Sequence, residues 1–265
     1  MSKHKPLILV TGAMGQLGKT LQETALEEDA FAWVFCDKEA FDICDPVATA
    51  AVFVQHKPDY CINTAAYTNV NQAEENPLLA KTVNVTAVQH LIDACNQHNT
   101  CLLHLSTDYV FDGAQAHPYV ESDTPNPINV YGKTKAEGEQ RVLTKAQKGY
   151  VIRTAWLYAT THGYNFYRSI LSKAQAGDSL SVVNDQVGSP TTTVQLALFL
   201  IQIVKKAPPY GLYHCAGKQV LSWHAFAKQI LAEHQLKVPL KATTTPNGGI
   251  QRPRFSALGT EKSIE

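Results

Sequence analysis

The 265-residue sequence has no excess of either charge and no long uninterrupted hydrophobic run, and both absences restrict its function. Lys and Arg together number 23, as do Asp and Glu, so no net charge draws the chain to nucleic acid or to an anionic membrane. The apolar run from Leu7 to Val10 is too short for a signal-peptide core or a membrane span. We therefore expect a cytoplasmic protein whose partners are small molecules.

Paired cysteines and closely spaced histidines are also missing from the sequence. The six cysteines include no CxxC pair, and the ten histidines show no HxxxH spacing. Cysteines scattered through apolar stretches are typical of reduced residues that pack in the interior. We predict neither a disulfide framework nor a metal site.

What the sequence does contain is an alternation of short apolar stretches with helical patterns. We predict strands at Leu7 to Thr11, Phe31 to Cys36, Tyr60 to Ala65, Cys101 to Leu105 and Tyr150 to Ala155. The stretches between them show the periodicity of helices. This order predicts an α/β fold, a Rossmann-type doubly wound parallel sheet with helices on both faces.

The pattern loosens after Trp156, which suggests a division into two parts. Residues 1–157 are predicted to form a NAD(P)-binding domain, and residues 158–265 mainly a smaller cap that binds the substrate. We expect residues 190–207 to pack back on the first domain, and we assign Gly211 to Cys215 to the cap. The substrate site is expected between sheet and cap, at the carboxyl ends of the strands.

A glycine-rich stretch, Gly12-Ala13-Met14-Gly15-Gln16-Leu17-Gly18, follows the first strand and opens a helix. Glycines there let the backbone turn tightly and approach a pyrophosphate, whose charge faces the helix N-terminus. Because strand, turn and helix agree, the stretch predicts dinucleotide binding. Asp37, after the second strand, is placed to bind ribose hydroxyls, whereas Lys38 would attract a 2′-phosphate, so NADH and NADPH both stay open. Small residues in Asn63-Thr64-Ala65-Ala66-Tyr67-Thr68 leave room for the cofactor.

Three side chains could act on one substrate oxygen. Thr107, in Ser106-Thr107-Asp108, follows a strand, and Tyr131 and Lys135 share one face if their segment is helical. A turn or cap is the alternative for the Ser-Thr-Asp stretch. During hydride transfer to a ketone, Tyr131 would donate a proton to the oxygen and Thr107 would orient that oxygen. The Lys135 ammonium would lower the pKa of the phenol.

Together these motifs resemble the dTDP-4-dehydrorhamnose reductase family of extended short-chain dehydrogenases, over nearly the whole chain. The matching stretches are Val10 to Gly18, Asn63 to Thr68, Ser106 to Gly113, Tyr131 to Lys135, Arg153 to Tyr158, Asn165-Phe166, Asn184 to Thr191 and Arg252-Pro253. The resemblance implies reduction of a 4-keto-6-deoxy sugar nucleotide to dTDP-L-rhamnose with NADPH or NADH.

The resemblance also implies roles for individual residues. Tyr131, Lys135 and Thr107 are the implied catalytic residues. The cofactor site would comprise Gly12, Gly15, Gln16, Leu17, Gly18, Asp37, Asp42, Ile43, Ala65, Ala66, Tyr67, Thr68, Tyr131 and Lys135. The substrate site would comprise Thr107, Asp108, Trp156, Asn165 and Arg252. Arg252 or Arg254 would pair with the diphosphate, although a surface ion pair for Arg252 and a core aromatic for Trp156 are equally compatible with the residues.

Several departures from the family pattern bear on function. Tyr109 stands where sugar-nucleotide dehydratases of this fold carry Glu, which disfavours water elimination. Asn71 stands where members often carry Asp. Thr20 and Gln195 replace the glutamates through which some members form a metal-bridged dimer, so we do not expect that bridge, and a homodimer of another kind stays open.

Alternatives stay open for both the fold and the function. The chain ends soon after Arg252-Pro253, where relatives usually continue into another helix, so a truncated cap is one expectation. A non-catalytic subunit resembling the regulatory subunit of methionine adenosyltransferase, and a reductase or epimerase of another nucleotide sugar, are the alternative functions.

Overall fold

Secondary structure follows the alternation that the sequence predicts. The computed structural model describes residues 5–262, and the outer ends of the two predicted domains, residues 1–4 and 263–265, lie outside the described residues. The strands are β1 (Leu7–Thr11), β2 (Ala32–Cys36), β3 (Tyr60–Asn63), β4 (Cys101–Thr107), β5 (Gly149–Thr154), β6 (Leu157–Tyr158), β7 (Leu180–Val183), β8 (Val187–Gly188), β9 (Thr191–Thr192), β10 (Gly211–His214), β11 (Leu221–Ser222) and β12 (Leu240–Thr243). The helices are α1 (Gln16–Ala25), α2 (Pro46–His56), α3 (Val70–Glu75), α4 (Pro77–Lys81), α5 (Ala87–His98), α6 (Val130–Lys145), α7 (Phe166–Gln175), α8 (Thr193–Lys206) and α9 (Trp223–Glu233), with a π-helical turn at Thr82–Thr86 and a 3₁₀ turn at Asp108–Val110.

The largest sheet has six strands in the order β10-β5-β4-β3-β1-β2, and every pairing is parallel. The chain moves outward from β1 to β2 and then returns to place β3 on the other side of β1. Open α/β sheets bind ligands at such a reversal, beyond the carboxyl ends of the strands. The predicted Rossmann-type doubly wound α/β fold is confirmed.

One strand of this sheet comes from a stretch that we had assigned to the cap. β10 pairs with β5, with Gly211 opposite Tyr150 and His214 opposite Arg153, so the assignment of Gly211 to Cys215 was wrong. A four-residue strand carries no local signal of the sheet that it joins. Its place depends on α8, which returns the chain along the sheet before β10 begins.

Helices cover both faces of the sheet. In β1, Ile8 and Val10 point into a core with α1 and α8, whereas Leu9 points into a second core with α2 and α5. Strands covered on both faces are apolar throughout, which explains the unbroken run in β1. Among residues 5–262, none of the helices has both the length and the apolar character to cross a membrane.

The cap has an apolar core of its own. Helices α7 and α9 pack against β7, with Ile170, Phe226 and Leu180 in the interior, and β12 pairs in parallel with β7. The side chains of Asn165 and Ser222 accept hydrogen bonds from backbone N–H groups in the first turns of α7 and α9.

The chain then returns from the cap to the main sheet through Gln251–Gly259, which we name the C-terminal segment. Ser256 N donates to Val187 O at 2.8 Å, and Tyr119 N donates to Ala257 O at 2.8 Å. Gly259 N in turn donates to Tyr119 O at 2.8 Å. The C-terminal segment therefore joins β8 of the cap to the loop after β4.

Candidate active site

The turn between β1 and α1 brings the backbone very close to β3. Gly12 has φ of +65°, and a Cβ at this position would lie 2.8 Å from Ala65 N, so only glycine fits. Gly15 is the N-cap of α1, and within the described residues no side chain caps its first turn, which also carries no acid. The free N–H groups of that turn suit an anion such as a pyrophosphate.

A cavity of about 490 Å³ opens beside this turn at the reversal of strand order, and we name it the cofactor cavity. Asp37 and Lys38 lie on its wall, and Asp37 Oδ1 also accepts a hydrogen bond from Ala40 N at 2.8 Å. The predicted cofactor residues that line it are Gly12, Gly15, Asp37, Asp42, Ile43, Ala65, Ala66 and Tyr67. Three features of this cavity fit a dinucleotide. The glycines let the backbone approach the ligand closely, the N-terminus of α1 has no side-chain cap from the described part of the chain, and the wall carries both an acid and a base, Asp37 and Lys38.

A second cavity, of about 530 Å³, shares Met14, Gly15, Thr64 and Ala66 with the first, and we name it the reaction cavity. It lies between the ends of β4 and β5 and the cap. The predicted residues that line it are Gln16, Leu17, Thr68, Thr107, Asp108, Tyr131, Lys135 and Trp156. The three predicted catalytic side chains thus meet in one cavity that continues into the cofactor cavity.

Two buried hydroxyl groups in the reaction cavity have no partner in the described chain. Ser106 Oγ and Thr154 Oγ1 make no hydrogen bond within residues 5–262, and both residues line the cavity. Buried polar atoms are nearly always hydrogen-bonded in folded proteins. Among the described residues, each of these hydroxyls therefore lacks the partner that a buried polar atom normally has, at a residue of the cavity wall.

Lys135 is almost fully buried, and its ammonium position is defined by the neighbouring strand. Nζ donates to Leu105 O at 2.6 Å and lies 3.5 Å from His104 Nε2. Burial lowers the pKa of Lys135 to about 8, against the opposing charge of Glu139. Burial, reinforced by the Lys135 charge, holds the pKa of His104 well below its usual range. The amine can therefore both accept and release a proton near neutral pH.

Tyr131 is also buried, and here the expected pKa direction was wrong. Burial raises the pKa of the Tyr131 phenol; the Thr107 hydroxyl opposes the rise, and the charge of Asp108 adds to it. Helix α6 carries Tyr131 into the interior, where burial favours the neutral phenol and has the largest effect on its pKa. The phenol consequently keeps its proton at working pH.

Thr107 and Asp108 form a hydrogen-bonded pair at the end of β4. Thr107 Oγ1 donates to Asp108 Oδ1 at 3.0 Å and accepts from Tyr109 N at 3.2 Å. Ser256 Oγ donates to Asp108 Oδ2 at 2.5 Å. Burial raises the pKa of Asp108 to about 6, although both hydroxyl donors oppose the rise.

Three predicted site residues, all within the described chain, are not among those that line the two cavities. A Cβ on Gly18 would lie 2.6 Å from Gly12 O, so Gly18 allows close packing of α1 on the turn. The Asn165 side chain donates to Gln16 Oε1 at 3.0 Å and so supports a residue of the cavity wall. Arg252 Nη2 donates to Asn71 Oδ1 at 2.7 Å, beside the cavity. Spacing along the chain could not distinguish lining residues from their supports.

Sequence reasoning also missed a residue of the cavity wall. Trp223 stacks on Trp156 with ring centroids 3.4 Å apart and planes at 2°, and both line the reaction cavity. Trp223 begins α9 directly after its N-cap Ser222, and nothing in the sequence shows where its indole points. The stack forms an aromatic wall of the cavity that Tyr131 also lines.

Comparisons with known proteins agree with this geometry. The model of the family described as RmlD substrate binding domain matches residues 6–265. The chain is 41% identical over 231 residues to dTDP-4-dehydrorhamnose reductase of Aggregatibacter actinomycetemcomitans, covering 85% of this chain and 78% of that protein. It is 37% identical to dTDP-4-keto-6-deoxy-D-glucose reductase of Streptomyces niveus, covering 95% and 88%.

A solved structure extends the similarity to three dimensions. The crystal structure of dTDP-4-dehydrorhamnose reductase from Bacillus anthracis in complex with NADP has a TM-score of 0.92 and 34% identity, over 97% of this chain and 91% of that chain. Family model, relatives and fold thus agree over almost the full described length. The chain belongs to the RmlD substrate binding domain family.

Proposed function

We propose that this protein is a dTDP-4-dehydrorhamnose reductase, which reduces the C4 ketone of dTDP-4-dehydro-6-deoxy-L-mannose to dTDP-L-rhamnose with NADPH or NADH. The observation that carries the proposal is the meeting of Thr107, Tyr131 and Lys135 in a cavity that shares wall residues with the cofactor cavity beside the glycine turn. The relatives named as this reductase support the same substrate class.

In the proposed mechanism, Tyr131 is the proton donor. When bound, the nicotinamide supplies the hydride. Negative charge then grows on the ketone oxygen, and the phenol, whose raised pKa has kept its proton in place, donates that proton from Oη. Lys135, with a pKa of about 8, can return a proton towards the phenolate from Nζ. Thr107 Oγ1, which donates to Asp108 Oδ1 in the free protein, would turn its proton to the substrate oxygen once the ketone is bound, and would so position that oxygen beside the phenol.

Binding of the nucleotide sugar would divide between two walls of the reaction cavity. The stacked indoles of Trp156 and Trp223 offer an aromatic surface for the sugar ring, and Asp108 offers a carboxylate to its hydroxyl groups. Arg252 is held by Asn71 at the edge of the site, where a guanidinium suits the diphosphate.

The deciding experiment follows NAD(P)H absorbance with dTDP-4-dehydro-6-deoxy-L-mannose as substrate. We expect turnover by the unmodified protein, and a loss of roughly 10²- to 10⁴-fold in kcat for Tyr131→Phe because the proton donor is gone. The affinity for NADPH, read by fluorescence, should change far less than kcat in the variant, because only the hydroxyl of one of the predicted cofactor residues is removed. No turnover by the unmodified protein would contradict the assignment, and would favour the non-catalytic subunit.

A reductase of another dTDP-sugar is the second candidate, because the Streptomyces niveus relative carries the name of a dTDP-4-keto-6-deoxy-D-glucose reductase. The two activities differ in the configuration of the sugar that meets the aromatic wall. Comparing kcat/KM for dTDP-4-keto-6-deoxy-D-glucose and for the L-mannose ketone decides between them. A higher value for the D-glucose ketone would replace the primary proposal.

We also propose a homodimer formed through α8. Val194 and Leu198 are 55% and 50% exposed on this helix and line a shallow cavity of about 460 Å³. Thr20 and Gln195, which stand at the positions of the metal-binding glutamates, carry no carboxylate. Thr20 donates to Thr193 at 2.8 Å, and the Gln195 amide donates to a backbone carbonyl at 2.8 Å. The proposed contact is therefore apolar and not metal-bridged. Light scattering should give twice the chain mass, and Leu198→Glu should halve it. A monomeric unmodified protein would contradict the dimer.

A cytoplasmic location is proposed as well. All six cysteines are free thiols, and all except Cys44 are buried, which suits a compartment that keeps thiols reduced. Fractionation of source cells, with thiols alkylated at the moment of lysis, should recover the chain in the cytoplasmic fraction with every cysteine alkylated after denaturation.

A further inference from the structure

We propose that Ser256, in the C-terminal segment, is a positioning residue for ketone reduction, which acts by holding Asp108 so that Asp108 fixes the hydroxyl of Thr107. The proposal rests on the proposed reductase function and adds a residue that lies 148 positions from Asp108 along the chain. Ser256 is not among the residues that line either cavity in the described chain, so its effect must pass through Asp108.

The geometry is a buried row of three side chains. Ser256 Oγ donates to Asp108 Oδ2 at 2.5 Å, and Thr107 Oγ1 donates to Asp108 Oδ1 at 3.0 Å. The exposed fractions of Ser256, Asp108 and Thr107 are 2%, 2% and 6%. Because each carboxylate oxygen accepts one hydroxyl proton, removal of either donor leaves an oxygen of a buried carboxylate without that bond.

The backbone of Ser256 is itself firmly placed. Its N–H donates to Val187 O, and Val187 N donates to Arg254 O, both at 2.8 Å. Nearby, Asn129 Nδ2 donates to Gln251 O at 3.1 Å, and Asn129 is the N-cap of the helix that carries Tyr131. The C-terminal segment therefore contacts both the Thr107 strand end and the Tyr131 helix start, and it holds them in register.

The arrangement of protons shows what Ser256 contributes. In the free protein Thr107 Oγ1 donates to Asp108 and accepts from Tyr109 N at 3.2 Å, so the position of Oγ1 is held from two sides before its proton turns to the ketone oxygen of a bound substrate. This rotamer places Oγ1 against the Tyr131 phenol, whose pKa it affects. Without Ser256, Asp108 keeps only one of its two side-chain donors, and Thr107 loses a fixed partner.

The contact also predicts a pH signature. Burial raises the pKa of Asp108 to about 6, and the hydrogen bond from Ser256 opposes this rise more than any other hydrogen bond does. The titratable groups around Asp108 are the phenols of Tyr109 and Tyr131, whose pKa values its charge raises, and the Arg252 guanidinium next to Tyr109. Loss of the Ser256 donor disfavours the carboxylate, so Asp108 would take up its proton at a higher pH.

The test compares Ser256→Ala and Ser256→Thr with the unmodified protein, using NADPH and the L-mannose ketone from about pH 5 to about pH 9. We expect Ser256→Ala to lower kcat roughly tenfold or more and to move the acid-side loss of activity to higher pH. Ser256→Thr keeps the hydroxyl and should restore both. The Kd for NADPH should be unchanged in each variant.

A matched control is Ser122→Ala. Ser122 Oγ also donates to a carboxylate near the end of the chain, Glu261 Oε2 at 2.8 Å, but at an exposed position away from both cavities. Its kcat and pH profile should equal those of the unmodified protein. The titration of Asp108 can also be followed without turnover. Melting temperatures are measured across the same pH range, and their pH dependence is compared with that of Asp108→Asn, in which residue 108 cannot titrate.

The outcomes separate the two proposals. No turnover by the unmodified protein overturns the reductase function, and with it the positioning role of Ser256. Turnover by the unmodified protein together with an unchanged kcat and acid limb in Ser256→Ala overturns the role of Ser256 alone. An equal loss in Ser256→Ala and Ser256→Thr, with an unshifted acid limb, would also overturn it, because packing and not the hydroxyl would then be responsible.

Discussion

The cofactor cavity and the reaction cavity share four wall residues but are built in different ways. The cofactor cavity uses the strand ends and turns after β1, β2 and β3, together with the helical segment before α5, so its residues lie within Gly12–Val83. The reaction cavity gathers residues from Met14 to Trp223, including the ends of β4 and β5, α6 and the cap. One site is local in sequence, and the other is assembled across the chain.

This difference determines what each cavity tolerates. Backbone shape dominates the cofactor cavity, because its ligand is approached by glycine turns and N–H groups. The reaction cavity depends on buried side chains whose pKa values respond to burial, as those of Lys135 and Asp108 do. Changes to backbone space should therefore affect cofactor affinity first, and changes to side-chain packing should affect sugar binding and chemistry first.

Among the changes that compare the two cavities, Gly12→Ala should have the largest effect. The new Cβ would collide with the backbone of Ala65 at a residue with φ of +65°, so the turn must open. We expect a loss of roughly 1–3 kcal/mol of stability and a rise in the Kd for NADPH of about tenfold or more. Thermal unfolding and fluorescence titration measure the two.

Gly177→Ala is the matched control for Gly12→Ala. Gly177 has φ of +83°, and no heavy atom of the described chain lies within 4 Å of the added Cβ. It should show the cost of backbone strain alone, with an unchanged Kd. Equal cofactor affinity in Gly12→Ala and Gly177→Ala would break the proposed dependence of the cofactor cavity on close backbone approach.

Gly188→Ala should damage the other cavity. Its Cβ would overlap the indole of Trp156 and push the ring out of its stack with Trp223. We expect the KM for the nucleotide sugar to rise about tenfold while the Kd for NADPH stays constant. Gly259→Ala, where the nearest atom would lie at an ordinary 3.4 Å, is the control. A raised Kd for NADPH in Gly188→Ala would contradict the separation of the two cavities.

Lys135→Met tests the energetic cost of the buried amine. Because the folded-state pKa of about 8 lies below the unfolded value, the unfolded chain binds more protons above about pH 8 and the native protein gains stability there. Burial of the charge therefore costs most at neutral pH. We expect the stability of Lys135→Met relative to the unmodified protein to be highest near pH 7 and to decline by roughly 1 kcal/mol per pH unit above about pH 8. A difference independent of pH, measured by urea unfolding, would show that Lys135 is not desolvated.

The smallest expected effect belongs to Lys38→Ala, at the outer wall of the cofactor cavity. An exposed lysine beside a 2′-phosphate contributes about 0.5–1 kcal/mol, so the Kd for NADPH should rise roughly two- to fivefold and that for NADH should not change. Lys241→Ala, an exposed lysine of β12, is the control. Equal changes for both cofactors would show that Lys38 does not contact the 2′-phosphate.

The same comparison shows how far residues alone could predict this molecule. β1 (Leu7–Thr11) and the helix that follows the glycine-rich turn were predicted at their observed positions, because each has a local signal. β10 was assigned to the wrong part of the fold because it pairs with β5, a strand that lies far away in the sequence and contains Tyr150. In the cofactor cavity the glycine spacing marked Gly12 and Gly15, but it could not show that Gly18 packs against the turn and does not line the cavity.

What followed from the residues was the α/β class, the glycine turn and the three side chains that meet in the reaction cavity. Local propensity, apolar periodicity and motif spacing are properties of neighbouring residues, so they can be read from the sequence whatever tertiary contacts form. The tertiary structure decided the protonation of Tyr131 and Lys135, the stacking of Trp223 on Trp156 and the contact of Ser256 with Asp108. Burial and long-range contact do not exist until the chain has folded, so pKa values and supporting residues can be read only from the folded protein.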